Sequence, residues 1–245
     1  MRDGQTRAKR PSGSRERERS RIQDRFGVVL LLLMITVFFS ISAPNEAWAW
    51  LATTAILAAS LMVAMAASGA QPKVVRAGLA LAAIGIGAGI IAVAQTGDPR
   101  RYLSLTSVLL TLLAMAAIVR RVRMHAEISL LTVLGAVCLY VQLGLTFSFM
   151  YELIGELGSR PFFAAEEAGT RSDYVYFSFI TMATVGYGDL TAQGGLGRAL
   201  AVTEGLLGQI YLVTAVAALV GNLGRTRAPL QGTEDEAVEE ETRSG

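Results

Sequence analysis

Hydrophobic residues in this chain fall into six long runs separated by short polar stretches. The runs cover residues 26–41, 47–67, 77–96, 102–119, 128–154 and 196–223. A helix of about 20 apolar residues spans the hydrocarbon core of a bilayer, and the short first run reaches that length once its flanks are counted. A shorter segment, 173–182, follows a helix-start pattern from Thr170 to Asp173. The pattern predicts an all-α membrane protein with six transmembrane helices and a re-entrant helix and loop between the fifth and the sixth.

The polar stretches divide the chain further. Residues 1–25 form a basic arm and residues 224–245 an acidic tail, and both compositions predict disorder. Between them lie a four-helix membrane domain, 26–127, and a second membrane domain, 128–223. Basic residues precede the first run and follow the second, fourth and sixth runs, which predicts a multi-pass protein of the cell membrane with both termini in the cytoplasm.

Composition supports a membrane location and narrows the function. Hydrophobic residues make up 52% of the chain and charged residues 17%, which is too apolar for an ordinary soluble domain. The single cysteine, Cys138, lies inside an apolar run and has no partner for an internal disulfide. No nucleophile with a neighbouring general base, and no set of metal ligands, suggests enzymatic chemistry. We therefore expect no enzyme, no cofactor and no nucleic-acid partner, but contact with membrane lipid.

The stretch 181–189 reads Thr-Met-Ala-Thr-Val-Gly-Tyr-Gly-Asp, with Gly186 and Gly188 at alternate positions. Successive carbonyls of an ordinary strand point in opposite directions. Aligning them requires backbone that alternates between left- and right-handed conformations, which glycine adopts without a Cβ penalty. A row of aligned carbonyls can replace the hydration oxygens of a cation. The stretch is therefore a candidate cation-binding segment.

The core of this stretch, Thr184 to Gly188, resembles the selectivity-filter signature of potassium channels, and the resemblance covers roughly residues 128–223. It implies that 128–223 is a pore domain and that four identical chains form a homotetramer around the permeant ion, K⁺. The resemblance implies ion binding at Thr184, Val185, Gly186, Tyr187 and Gly188. It implies support of the filter by Thr181, Asp189, Tyr176 and Phe177.

The expected function is passive, K⁺-selective conduction. Two alternatives stay open: an ion-coupled secondary transporter that uses a broken helix at residues 186–188, and a non-conducting regulatory membrane protein. A voltage sensor needs repeated arginines within a membrane span, and none lies within residues 102–119. Arg120, Arg121 and Arg123 come after that run. We therefore expect weak voltage gating or none.

Several residues allow two interpretations. Gly208 is a candidate gating hinge or a packing notch. Glu204, an acid inside the sixth run, supports the filter from behind or faces the cavity. Aromatic residues of 173–182 form a cuff around the filter or an ordinary core. Gly85 and Gly89, four residues apart in the third run, predict close helix packing. The acids near the filter loop outnumber Arg160 and Arg171 and are expected to make an acidic mouth; they are Glu152, Glu156, Glu166, Glu167, Asp173 and Asp189.

Overall fold

A computed structural model describes residues 12–68, 70–123, 130–164 and 169–225, which form seven α-helices and no strand. The helices are α1 Ser12–Ser42, α2 Ala47–Ser68, α3 Pro72–Thr96, α4 Arg100–Arg123, α5 Leu130–Leu157, α6 Arg171–Met182 and α7 Gly195–Arg225. Helices α2, α3, α4, α5 and α7 are long and apolar enough to cross a membrane. The apolar part of α1, Phe26–Ser42, is shorter. The described chain is thus all-α with five candidate spans, and a sixth crossing by α1 stays a prediction.

The start of α1 differs from the expectation of a disordered arm over residues 1–25. The helix begins at Ser12, so residues 12–25 are helical and continuous with the apolar segment. Residues 14–25 contain neither glycine nor proline and are rich in arginine and glutamate, which are good helix formers. Residues 1–11, and the tail 226–245, lie outside the described residues.

Helix α5 connects two groups of helices. On one side it packs against α1 and α4. Helix α2 packs against both α1 and α4, and α3 packs against α2 and α4. On the other side α5 contacts α6 and α7. Buried apolar side chains of α1, α2, α4 and α5 form a shared core that includes Phe26, Leu33, Leu57, Ile118, Leu145 and Phe149. Helix α6 also contacts α1 directly, so α6 and α7 are held against the first four helices through α5 and through this α1–α6 contact.

The contact between α3 and α4 confirms the prediction made from the glycine spacing. Gly85 and Gly89 are both buried. A Cβ at Gly85 would lie 2.2 Å from the Thr106 hydroxyl oxygen, and one at Gly89 would lie 2.6 Å from a Leu103 methyl carbon. Only hydrogen fits between the two helices at these positions.

Helix α6 begins with the predicted cap. The Thr170 side chain accepts a hydrogen bond from the Asp173 backbone N–H, and the Asp173 carboxylate accepts one from the Thr170 backbone N–H at 2.7 Å. The helix ends after 12 residues, too few to cross a bilayer. Helix α6 therefore ends between α5 and α7 and presents the following segment there.

Candidate functional site

Residues 183–189 follow the carboxyl end of α6 and are exposed in the protomer. Three of them have positive φ: Thr184 (56°), Gly186 (51°) and Gly188 (82°). Val185 and Tyr187, which lie between them, do not. The sign of φ thus alternates along five residues, which is the conformation that allows consecutive carbonyls to align.

Thr184 is a β-branched residue with positive φ, which is unusual because the side chain is crowded in that region. Such a conformation costs about 1–3 kcal/mol and persists only where the surrounding structure enforces it. Functional sites are a common place for strain of this kind.

Four backbone hydrogen bonds attach the start of the segment to the last turn of α6. Ala183 N–H donates to the Phe179 carbonyl (3.0 Å) and Thr184 N–H to the Thr181 carbonyl (3.0 Å). The Ile180 carbonyl accepts from Val185 N–H (2.9 Å) and from Gly186 N–H (3.3 Å). The Phe179, Ile180 and Thr181 carbonyls at the helix end are therefore satisfied by the segment itself.

A side-chain bond fixes the other end of the segment. The Tyr176 hydroxyl donates to the Asp189 Oδ2 at 2.8 Å. The segment is thus attached to α6 both before and after the residues that alternate in φ, so its backbone is held to one rigid helix.

The remaining aromatic residues of α6 pack inside the protomer. Phe177 and Tyr174 are buried with Tyr151 of α5 and with Phe162 and Phe163 of the loop after α5. The ring centroids of Phe177 and Tyr151 are 5.2 Å apart, and those of Tyr174 and Phe163 are 5.0 Å apart. Phe177 and Tyr174 therefore belong to an ordinary core and do not form a cuff around the segment. Tyr176, in contrast, contacts the segment directly.

Helix α7 passes the carboxyl end of α6 at Gly208. A Cβ on Gly208 would lie 2.6 Å from the Met182 Cγ and 3.1 Å from the Met182 carbonyl oxygen. This close approach by itself requires a glycine, and α7 is continuous through it. The packing interpretation of Gly208 therefore has structural support, and the hinge stays a prediction.

Glu204 is fully buried where α5, α6 and α7 meet. Its Oε2 accepts a hydrogen bond from the Tyr151 hydroxyl at 2.6 Å, and its Oε1 lies 2.5 Å from the Ser178 Oγ. Glu204 therefore contacts the middle of α6, six residues before Thr184, instead of lying in open space.

Arg171 and Glu152 hold the start of α6 in place, a role that was not recognised from the sequence. Arg171 is buried in the first turn of α6, where its Nε donates to Glu152 Oε1 (3.0 Å) and its Nη2 to Glu152 Oε2 (3.2 Å). Ser104 of α4 also donates to Glu152 (3.0 Å), and the Trp50 ring of α2 lies 3.8 Å from the Arg171 guanidinium carbon. A basic residue at the start of α6 and an acid near the end of α5 were the only sequence signals.

The expected acidic mouth is wrong for Glu152, which is 1% exposed and paired with Arg171. Burial of a carboxylate is tolerated here because a bidentate arginine and a hydroxyl compensate it. Glu152 therefore does not face solvent as a free charge. Asp173 is partly exposed and caps α6. Glu166 and Glu167 lie outside the described residues.

Within the described ranges, no group of three or more His, Cys, Asp or Glu residues is placed to hold a metal ion.

Residues 135–224 match the family model Ion_trans_2, described as an ion channel. The match begins in α5 and extends through α6, the exposed segment and α7, while α1 to α4 lie outside it. No curated protein matches the chain. The family match supports an ion channel, and together with the five apolar helices it indicates a multi-pass membrane protein.

Proposed function

We propose that the protein is a potassium-selective channel that conducts K⁺ passively as a homotetramer. The observation that carries this proposal is the alternation of φ along Thr184 to Gly188 in a Thr-Val-Gly-Tyr-Gly sequence. Four copies of this segment would face a common axis with their carbonyl groups. The carbonyl oxygens of residues 184–187 would then replace the water around a dehydrated K⁺ ion.

The attachment of the segment to α6 supports this proposal. Its N–H groups donate to the Ile180 and Thr181 carbonyls at one end, and Asp189 accepts from the Tyr176 hydroxyl at the other. A restrained backbone keeps the spacing of its carbonyls when an ion leaves. Phe177, in the aromatic core behind α6, would support the same helix.

The exposed surfaces of the protomer support assembly of several copies. Only 11% of the α7 span is buried, whereas 56% of the α5 span is. Val185 and Tyr187 of the segment are 49% and 73% exposed. One chain contributes one segment, so a closed ring of carbonyls needs four chains around an axis, with lipid covering the outer faces.

Ion flux from liposomes that contain the purified chain tests the proposal. We expect channel-like K⁺ flux with little Na⁺ flux, and native mass spectrometry should give a four-chain mass. Slow, coupled exchange would favour a secondary transporter instead, and no flux would favour a regulatory protein. Equal Na⁺ and K⁺ flux would contradict selectivity.

A glycine pair provides matched variants for this experiment. An added Cβ would meet no atom within 4 Å at either Gly186 or Gly87. Gly186 has positive φ, whereas Gly87 lies inside the regular helix α3. We expect Gly186→Ala to abolish K⁺ selectivity because alanine disfavours that backbone conformation, and Gly87→Ala to conduct normally. Normal selectivity in Gly186→Ala would contradict the proposed role of the segment.

A further inference from the structure

The hydrogen-bond partners of Glu204 determine where protons must lie. The Tyr151 hydroxyl has one proton and donates it to Glu204 Oε2. The Ser178 hydroxyl lies close to two oxygens, the Gly144 carbonyl at 2.7 Å and Glu204 Oε1 at 2.5 Å. A carbonyl can only accept, so the contact with Gly144 uses the single proton of Ser178.

The contact between Ser178 and Glu204 then needs a proton from Glu204. Two oxygens 2.5 Å apart with no proton between them would repel each other. A protonated carboxyl group donates from Oε1 to Ser178 while its other oxygen accepts from Tyr151. All three contacts are satisfied together only if Glu204 is a neutral acid.

The surroundings of Glu204 also favour the neutral form. The ion pairs among the described residues join Arg100 to Asp98 and Glu156, and Arg171 to Glu152; none includes Glu204. On α5 the titratable groups near Glu204 are Tyr151 and the more distant Tyr140, and α6 presents the Ser178 hydroxyl. An ionised carboxylate at this fully buried position would have hydroxyl partners but no cation to compensate its charge, which is costly.

We propose that Glu204 is a protonated positioning residue that joins α7 to the middle of α6 and so fixes the helix on which the exposed segment rests. Loss of its proton would remove the donor to Ser178 and place an unpaired charge between α5, α6 and α7. The contact would therefore weaken as the pH rises. The consequence for conduction rests on the proposed function, whereas the protonation state does not.

Infrared spectroscopy of the full chain in liposomes tests the protonation state directly. We expect the wild type at neutral pH to show the carbonyl stretch of a protonated carboxylic acid, and we expect Glu204→Gln to lose it. Glu46→Gln, which changes an exposed carboxylate, should keep the band. A spectrum without a protonated-acid band that depends on Glu204 would overturn the proposal.

Stability measurements separate positioning from simple space filling. A glutamine at 204 can donate to Ser178 and accept from Tyr151, so Glu204→Gln should unfold at the wild-type temperature and lose the decline in stability that the wild type shows as pH rises. Glu204→Ala leaves both hydroxyls without this partner and should lower the folded-to-unfolded ratio about ten-fold or more. If Glu204→Gln is as unstable as Glu204→Ala, the proposal fails.

Flux measurements link the positioning role to conduction. Glu204→Gln should conduct K⁺ at high pH at least as well as the wild type does at neutral pH. A wild-type protein that shows the infrared band but no flux would contradict the proposed function and leave the protonation of Glu204 intact. K⁺ flux without the infrared band would contradict the protonation of Glu204 and leave the proposed function intact.

Discussion

Arg171 shows at the scale of single residues how a buried charge positions the proposed pore helix. Its guanidinium lies against the Trp50 ring of α2 and forms a bidentate pair with Glu152 of α5. Ser104 of α4 completes the coordination of that carboxylate. The amino end of α6 is thus attached to three other helices, while its carboxyl end carries the segment of alternating φ.

We predict that breaking the Arg171–Glu152 pair destabilises the protein much more than removing both charges does. Arg171→Gln leaves Glu152 buried without its cation, and a loss of this kind costs about 3–5 kcal/mol. The double variant Arg171→Met/Glu152→Met leaves no unpaired charge and should regain most of that stability. Unfolding by detergent titration measures both free energies. A double variant that is no more stable than Arg171→Gln would contradict the pairing.

The position of helix α3 depends on a small number of close contacts with its neighbours. Among the described residues its main contacts are with α2 and α4, and its contact with α4 depends on Gly85 facing Thr106. We predict that Gly85→Ala destabilises the chain because the new methyl group would overlap Thr106, and overpacking typically costs about 1–3 kcal/mol.

The control lies two residues along the same helix. Gly87→Ala has open space and gains helix propensity, so its thermal unfolding temperature should equal or exceed that of the wild type. The double variant Gly85→Ala/Thr106→Ala should recover part of the loss, because it removes the Thr106 Oγ1 and Cγ2 atoms at 2.2 Å and leaves only the Cβ at 2.7 Å. A Gly85→Ala protein as stable as Gly87→Ala would mean that the α3–α4 contact is not close.

Features that depend on residues close together in the sequence could be predicted from it. Contacts between residues far apart in the sequence could not. The cap of α6 involves residues three apart, and the α3 glycines four apart, so both follow from helical spacing. The Glu204 contacts join residues 26 and 53 positions apart, and the Arg171–Glu152 pair spans 19. Nothing local distinguishes the buried Glu152 from an exposed carboxylate. Helix propensity also continued α1 through residues 12–25, where charge alone suggested disorder.

At the scale of the whole molecule, the four helices α1 to α4 form a bundle beside the channel-like region without cations in its described interior. The side chains of α4 that are buried and polar are Ser104, Thr106, Ser107 and Thr111. In the sequence the arginines of α4 lie at its two ends: Arg100 and Arg101 start the helix, and Arg120, Arg121 and Arg123 end it. A bundle of this kind has little charge to move across the membrane field.

We therefore predict that conduction depends only weakly on voltage. Each elementary charge that crosses the field contributes about 2.3 kcal/mol per 100 mV, so steep gating requires several charges that move within the span. Currents recorded at stepped potentials in planar bilayers should give a shallow conductance–voltage relation, with a limiting slope of about one elementary charge or less. Bilayers with Gly186→Ala protein provide the baseline for unselective leak. A limiting slope of several elementary charges would show that α1 to α4 carry gating charge that their described interior does not contain.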